Sequence, residues 1–499
     1  MKSRNFNISG TILLLLIIFG MPSCKKWLDV QPSTRLDRAE LFKKEEGYRD
    51  ALAGVYGNLT TPALYGREMT YGTLDVLAGY YNPASVGSTL YYSFYNNFPY
   101  KRDNASRSDE CVAVVDSMWI GMYNQVANLN SILDYIDGSK SIFSGDNYAV
   151  LKGETIGLRA FLHLDLLRLY GSSAQVGLAS KSIPFVDTLS SLVSRLLTVE
   201  EASNRIINEL QTALVLLEND PVRTGATPSP ILASSVATAA LAPYHNRRYH
   251  FNYYAVKAAL ARAYLWKGDK ANALRYAKEL IAEQASRFPW VLDANLTAIN
   301  TAGAANKDRT FTTEHIFALN VRGLANDVPF YLSSAGAATP GNLLVTTNTV
   351  RNKIYENSTV DPRNQYLFTT YNSSFFTTKL YQDDATSTWF KYQVPVIRIS
   401  EMYYIAAECE AGVSEGLNWL NVVRQARKLS PLTADAINTP ATLMAEIQKE
   451  YQKEFIGEGQ LWYFYKRLNY SVLPYSPRFT NIAWYVFDMP DNEYIYGGR

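Results

Sequence analysis

The groups from which this chain could build a catalytic or metal site are few: His163, His245, His250 and His315, the cysteines Cys24, Cys111 and Cys409, and 46 acidic residues. Asp165 stands near His163 and Glu314 beside His315, but neither pair is followed by a second histidine or cysteine at metal-ligand spacing. Phosphate loop, dinucleotide fingerprint, nucleophile elbow and HExxH motif are all missing. No metal, cofactor or catalytic residue is therefore expected. Glycoside hydrolysis needs two carboxylates about 5 to 10 Å apart, and Asp75, Asp383 and Asp384, set among aromatics, are the acids best placed to try. One acidic series is ordered: Glu446, Glu450, Glu454 and Glu458 in "EIQKEYQKEFIGEG". Residues four apart share a helix face, where like charges repel by about 0.2–0.5 kcal/mol per pair. Lys449 and Lys453, or arginines such as Arg398 and Arg424, would offset that, so the series reads as a salt-bridged structural helix.

Binding chemistry is better represented. The stretch "DVLAGYYNPASVGSTLYYSFYNNFPY" (75–100) interleaves eight aromatics with asparagine, glycine and serine, in a chain with 36 tyrosines. Tyrosine offers a flat apolar face and a hydroxyl at low entropic cost. Sugars present C–H faces that stack on such rings and hydroxyls that pair with Asn or Asp; a peptide would use the same groups, and a Tyr-rich rim packed on a scaffold would have the same composition. The candidate ligand residues are Tyr80, Tyr81, Tyr91 and Tyr92 as rings, Asp75 and Asn82 as polar partners, and Trp290 as a second platform. Adjacent tyrosines point in different directions on a regular backbone, so at most one of each pair should face ligand.

These residues need a scaffold, and the helical signals lie at the two ends of the chain. "LDRAELFKKEEGYRDALAGVYGNL" places Leu41, Phe42, Tyr48, Leu52, Val55 and Tyr56 at amphipathic spacing, and "DECVAVVDSMWIGMYNQVANLNSILDYI" is longer and more apolar. "GETIGLRAFLHLDLLRLYG" is apolar on nearly every face and should be a central buried helix stopped by Gly171, with Arg159, His163, Asp165 and Arg168 paired inside the protein. In "YYAVKAALARAYLWKGDKANALRYAKELI", Leu260, Ala261, Tyr264, Gly268, Asp269, Ala273 and Leu274 have the spacing of a tetratricopeptide helix pair. "ISEMYYIAAECEAGVSEGLNWLNVVRQAR" looks like a second pair turning at Gly412. Pairs of this kind bury their faces by stacking. Residues 72–104 and 286–393 lack helical period and read as loops with a few short strands, carried by the helices. A pure repeat scaffold would not require them, and function usually sits on such loops.

With 48 basic against 46 acidic residues and no long block of either sign, the chain has no electrostatic surface for nucleic acid. At the N-terminus, Lys2 and Arg4 precede the apolar block Ile12–Phe19, too short to span a bilayer, and small residues follow. This is a secretory signal peptide over residues 1–23. Cys24 is either incidental to cleavage or, with Gly20 and Ser23, a bacterial lipobox whose cysteine becomes the acylated first residue. Removal leaves 499 − 23 = 476 residues, ample for a large core, and Cys111 and Cys409 read as buried thiols among helical apolar residues.

Taken in order, these segments resemble the SusD/RagB family of Bacteroidetes surface lipoproteins. "CKKWLD" is similar to the family's departure from its lipidated cysteine, and "WIGMYNQVANLNSIL" carries the family's Trp, Tyr and Asn as Trp119, Tyr123 and Asn130. "RAFLHLDLLRLYG", "ALARAYLWKGD", "TEHIF", "VDPR" and "VIRISEMYYIAAE" follow in family order. "KEYQKEFIGEGQLWYFYKR" resembles the closing segment ER-x-x-EF-x-x-EG-x-R-W-x-D-x-x-R through Glu450, Glu454, Phe455, Glu458, Gly459, Trp462 and Arg467. Tyr451 and Leu461 depart from its arginines and Phe464 from its aspartate, a divergence expected to repack a structural contact at Leu461 and Phe464. The resemblance implies a mostly α fold, with tetratricopeptide-like pairs supporting an irregular half, in one body over 24–499 (24–285 and 286–499). It also implies a lipid anchor at Cys24, an outer-membrane surface location, and a SusC-like TonB-dependent transporter as partner. A glycan is the expected ligand and a peptide the alternative. No enzyme activity or cofactor is implied; an exported glycan-degrading enzyme or a helical-repeat scaffold are the competing classes.

Overall fold

The computed structural model describes residues 38–82, 90–190, 192–224, 247–338, 342–476 and 478–498. Residues 1–23, expected to be a signal peptide, and Cys24 lie outside them. The fold is mostly helical with seven short strands among the described residues. In chain order the elements used below are α1 (Glu45–Leu59), α2 (Thr73–Leu77), α3 (Leu90–Asn97), α4 (Asp109–Ile136) and α5 (Asn147–Tyr170). Strands β1 (Lys181–Pro184) and β2 (Leu196–Thr198) precede α6 (Val199–Leu216), α7 (Tyr253–Lys267) and α8 (Lys270–Ile281). Strand β3 (His315–Asn320) leads into α9 (Leu324–Tyr331), followed by β4 (Thr346–Thr347), β5 (Phe368–Tyr371), β6 (Ser374–Thr377) and β7 (Gln393–Arg398). The chain closes with α10 (Ile399–Cys409), α11 (Val413–Ala426), α12 (Pro440–Glu454) and α13 (Gln460–Arg467).

The helices stack in series: α1 on α4, α4 on α5, α5 on α6, α6 on α7, α7 on α8, α8 on α10, α10 on α11. This is the tetratricopeptide-like scaffold expected from the sequence. Local chemistry sets its turns. Asn252 caps α7 by accepting from Ala255 N, Gly268 ends it at φ +89°, and the Asp269 side chain then caps α8. A left-handed residue at a helix end favours glycine, which has no Cβ to clash. Thr198 and Glu201 form a capping box at α6, and Gly412 starts α11 where the turn was expected. One buried apolar cluster runs from Phe42 to Phe487.

Helix α5 is buried from Val150 to Tyr170 except Lys152, and each of its polar groups has a partner. Arg159 pairs with Glu209 and donates to Asn130 Oδ1 at 2.6 Å. His163 Nδ1–H donates to Arg159 O and its Nε2 accepts from Val186 N, while the ring stacks on Phe185 at 4.0 Å. Asp165 accepts from Tyr65 and pairs with Arg168. The glutamate series is also structural. Glu446 pairs with Lys449; Glu450 with Arg363, Arg424 and Lys453; Glu454 with Arg363, Arg398 and Arg427; Glu458 with Lys379 and Arg398. Burial opposes the charge on Glu450, yet Arg363, Lys453 and Arg424 hold its carboxyl at about 2. Cys111 and Cys409 are buried and unpaired.

The irregular segments differ in detail from expectation. Residues 72–104 contain two short helices, α2 and α3, because the apolar side chains here turn inward onto α13 and α4 rather than forming an open loop. Within 286–393, β3 pairs antiparallel with β7 from His315↔Arg398 to Asn320↔Gln393, and β4, β6 and β5 form a small separate sheet, with α9 and other short helices between. The expected contact of Leu461 with Phe464 takes another form: Phe464 stacks on Tyr451 (4.3 Å, 28°), so two of the departures from the family segment meet each other.

Candidate functional site

The 75–100 segment does not present the rings expected of it. Asp75 is fully buried and accepts from Gly457 N (2.5 Å) and Gly459 N (3.0 Å), with burial pushing its carboxyl well above the usual range. Tyr80 is buried and donates to Tyr451 O; Tyr81 is buried with no hydrogen-bond partner for its hydroxyl; Tyr91 is buried and donates to Glu68. A ring with no exposed face cannot stack on a ligand, so these four residues belong to the framework. Trp290 is half-buried, 5.4 Å from the Tyr403 ring and over the buried Arg427 guanidinium at 5.2 Å, which makes it a cover on the charge network. Asn82, which is exposed with its backbone N bonded to Val345 O, and Tyr92, which is half-buried on α3, remain at the surface.

Aromatic surface occurs instead where the β3–β7 ladder ends. Val321 N donates to Tyr392 O at 2.7 Å, and Tyr392 N donates to Gln382 Oε1, which brings Tyr381, Trp389 and Tyr392 onto the end of the ladder from which α9 departs. Each ring is backed by an arginine. Arg309 lies 5.5 Å from the centroid of Tyr381, Arg248 3.4 Å from Trp389, and Arg322 4.8 Å from Tyr392. On α9, Tyr331 has Arg67 at 4.9 Å, packs edge-on against Phe330 at 4.8 Å and meets the buried Tyr91 at 5.7 Å. Tyr381 is 41% and Phe330 38% exposed; Trp389, Tyr331 and Tyr392 are half-buried. A cation over a ring contributes about 0.5–1 kcal/mol at exposed sites and more when desolvated. It also fixes the ring's orientation, so less side-chain freedom is lost when a ligand lands on it. Tyr392 holds φ +62°, an uncommon conformation for a bulky residue that the fold must impose.

Polar groups accompany the rings. Arg67 Nη1 pairs with Asp327 at 3.2 Å and its Nε with Glu68 at 2.7 Å. Burial raises the Asp327 carboxyl while Arg67 pulls it down. A half-exposed ring beside a carboxylate and a guanidinium can stack on an apolar face and exchange hydrogen bonds with hydroxyls or amides. Nothing in this set resembles a hydrolytic pair: Asp75 is committed to two backbone amides, Asp383 pairs with Lys307, and Asp384 is exposed. Among the described residues no group of three His, Cys, Asp or Glu could hold a metal ion. The residues missed by sequence reasoning are Arg67, Asp327, Phe330, Tyr331, Tyr381, Trp389 and Tyr392. The aromatics of "STWFKYQ" and "VPFY" signalled some of them; the arginines behind them carry no local signal.

Comparison with known proteins bears on both halves of the chain. Residues 323–496 match the family described as "SusD family", and residues 26–244 match one described as "Starch-binding associating with outer membrane". SusD-like protein P2 of Formosa agariphila is 21% identical over 95% of this chain and 92% of its own length. SusD-like protein P25 of the same organism is 26% identical, over 33% of this chain and 31% of its own. A SusD superfamily protein from Bacteroides vulgatus superposes with a TM-score of 0.68 at 21% identity, covering 92% of this chain and 98% of the other. A SusD-like carbohydrate binding protein from the same organism gives 0.66 at 16% identity, covering 91% and 97%. Both halves of the sequence and the fold of the whole thus agree, and the chain belongs to the SusD/RagB family.

Proposed function

We propose that the protein is a surface-exposed outer-membrane lipoprotein, anchored through Cys24 after removal of residues 1–23, that binds a nutrient glycan and delivers it to a SusC-like TonB-dependent transporter. It acts as a binder and not as an enzyme. The observation that carries the ligand reading is the set of arginine-backed rings, Tyr331, Tyr381, Trp389 and Tyr392, with Phe330 and the Arg67–Asp327 pair among them. Sugar C–H faces stack on such rings, and Asp327, Arg67 and Asn82 supply partners for hydroxyls. A solved neighbour is itself named a carbohydrate binding protein, which supports the same reading. A peptide is the second reading, favoured by the exposed Arg322 beside Tyr392, which suits a carboxylate.

The test is a glycan and peptide binding screen on the soluble form lacking residues 1–24, repeated with Phe330→Ala and Tyr331→Ala. Loss of a stacking ring should weaken binding by about 1–3 kcal/mol while the protein stays folded. Full-strength binding by both variants would move the site elsewhere, and turnover of a labelled oligosaccharide would replace the binder with an enzyme. For the anchor, Cys24→Ala should leave the protein unprocessed or release it from membranes, since stable anchoring depends on acyl chains.

A further inference from the structure

Away from the rings, a cavity of 30 Å³ lies where α5, α7, α10, α12 and α13 meet, bounded by Arg168, Arg262, Trp266, Tyr463, Phe464 and Arg467. That exceeds the roughly 10–15 Å³ that a single water requires. Three of its wall residues carry a buried polar atom with no hydrogen-bond partner: Arg262 Nη1, Trp266 Nε1 and the Tyr463 hydroxyl. Their side chains are among the most enclosed in the protein, at 4%, 2% and 3% exposed. Leaving such groups unsatisfied costs about 1–3 kcal/mol each, so three around one void point to a guest.

The chemistry of the wall selects the guest. Both Glu401 oxygens already accept from Arg262, at 2.8 and 2.6 Å. Gln460 Oε1 accepts from Arg168 and its amide donates to Glu458 O. Arg168 is paired with Asp165 and Arg467 with Glu408. What remains are two N–H groups and a phenol, facing a wall that holds three guanidiniums and one carboxylate. Burial raises the Tyr463 pKa, with Arg168 and Arg262 opposing that, so its hydroxyl keeps its proton to donate. A water here would accept from these donors, and its two hydrogens could go only to the phenol oxygen or to further lone pairs of Glu401, whose oxygens already serve Arg262. An ion that only accepts takes all three donors at once, and these charge-assisted bonds work against its desolvation. The segment resembling the family's close carries Phe464 where that pattern has an aspartate, so the wall lacks a carboxylate at the point where the donors are left over.

We infer that this cavity is a binding site for one chloride-sized monovalent anion, which closes the joint between the helix pairs and α13. Full-length protein crystallised from sodium bromide, with data collected at the bromine absorption edge, should show an anomalous peak in the cavity within hydrogen-bonding reach of Arg262 Nη1, Trp266 Nε1 and the Tyr463 hydroxyl. Thermal unfolding at constant ionic strength should move to higher temperature as chloride replaces gluconate, because a ligand of the folded state stabilises it. Trp266→Phe removes one donor and little volume, and should raise the half-saturating chloride concentration about tenfold, the equivalent of one hydrogen bond to a charged group. A cavity without an anomalous signal whose density refines as water overturns the proposal, as does an unfolding temperature indifferent to chloride in wild type. If the variant does not fold, the bromide peak in wild type decides alone.

Discussion

Two regions of this molecule use arginine in opposite ways. Around α12, Arg363, Arg398, Arg424 and Arg427 are buried and each meets a carboxylate. Around the end of the β3–β7 ladder and on α9, Arg248 and Arg322 meet an aromatic face, and Arg67 and Arg309 meet both a ring and a carboxylate. In the first region charge compensates charge, and removing one partner strands the others in low dielectric. Where the partner is a ring alone, as at Arg322, the ring takes no charge from the arginine, so its removal strands nothing comparable, and the contact fixes ring orientation at the surface. Stability and recognition should therefore separate by mutation. The largest effect is expected at Glu454, which three buried arginines share: Glu454→Ala should cost about 3–5 kcal/mol or prevent folding. Arg322→Ala should cost under about 1 kcal/mol. Urea unfolding of the two variants checks the contrast, and equal costs would erase it.

Next in size is Phe161→Ala. Phe161 is fully buried on α5 between Phe251 and Phe317, and truncation should cost about 3–5 kcal/mol in the same assay. This helix was legible because an all-round apolar run with four polar residues has one physical solution, burial with internal pairing. The glutamate series was legible because i, i+4 acids must find cations, and Arg398 and Arg424 are among those that pair with it. The site was much less so. A run of tyrosines states that rings will be packed or displayed without stating which, and that is decided by distant chain. Asp75 is claimed by Gly457 and Gly459, more than 380 residues on, and Tyr80 by Tyr451. Gly459, at φ +68°, brings its backbone so close to Met69 O that an added Cβ would lie 2.2 Å away. No local pattern in residues 75–100 records that approach. The same holds for Trp290, whose partners Tyr403 and Arg427 lie in the closing helices.

The two regions should also differ in their response to acid. His163 on α5 and His315 on β3 are pushed down to about 3, burial being the first cause in each; at His315 Arg398, Arg248 and Lys379 add to it. The unfolded chain takes up these protons near pH 6.5 while the folded protein refuses them until about 3. Each histidine therefore contributes stability that is complete above pH 6.5 and falls by about 1.4 kcal/mol per pH unit as pH drops, while Asp75 and Asp308, whose carboxyls burial raises, the latter to about 6, work in the opposite direction. Below about 4.5, Glu154 and Glu450, both held at about 2, add to the loss as the unfolded carboxyls protonate first. In urea midpoints measured from pH 7.5 to 5, wild type should lose stability relative to His163→Gln from 6.5 downward. Parallel profiles for the two proteins would mean that His163 titrates normally. Ligand binding above pH 6 should show no matching transition, since the described histidines His163, His250 and His315 are engaged with Arg159, Glu154 and Thr310 rather than with the rings.

The smallest stability effect, and the sharpest separation, is expected at Tyr392. Its φ of +62° costs a residue with a Cβ about 1–2 kcal/mol relative to glycine. Against this, the ring gains its contact with Arg322 at 4.8 Å, about 0.5–1 kcal/mol at a partly exposed site. Replacing Tyr392 by glycine relieves the first and forfeits the second, and glycine's freedom in the unfolded chain takes back roughly 0.4–1 kcal/mol. The three terms nearly cancel, so Tyr392→Gly should unfold within about 0.5 kcal/mol of wild type by urea titration. Its ligand affinity should nonetheless fall by about 1–3 kcal/mol, since the stacking face is gone. Tyr392→Ala keeps the strain and loses the ring, so it should bind as weakly as the glycine variant but be less stable than it. If the glycine variant proves markedly unstable, the ring packs as a structural element and the contrast between the two uses of arginine fails here. If it is stable and still binds at full strength, Tyr392 is a strained residue outside the site, and the search narrows to Phe330, Tyr331 and Tyr381.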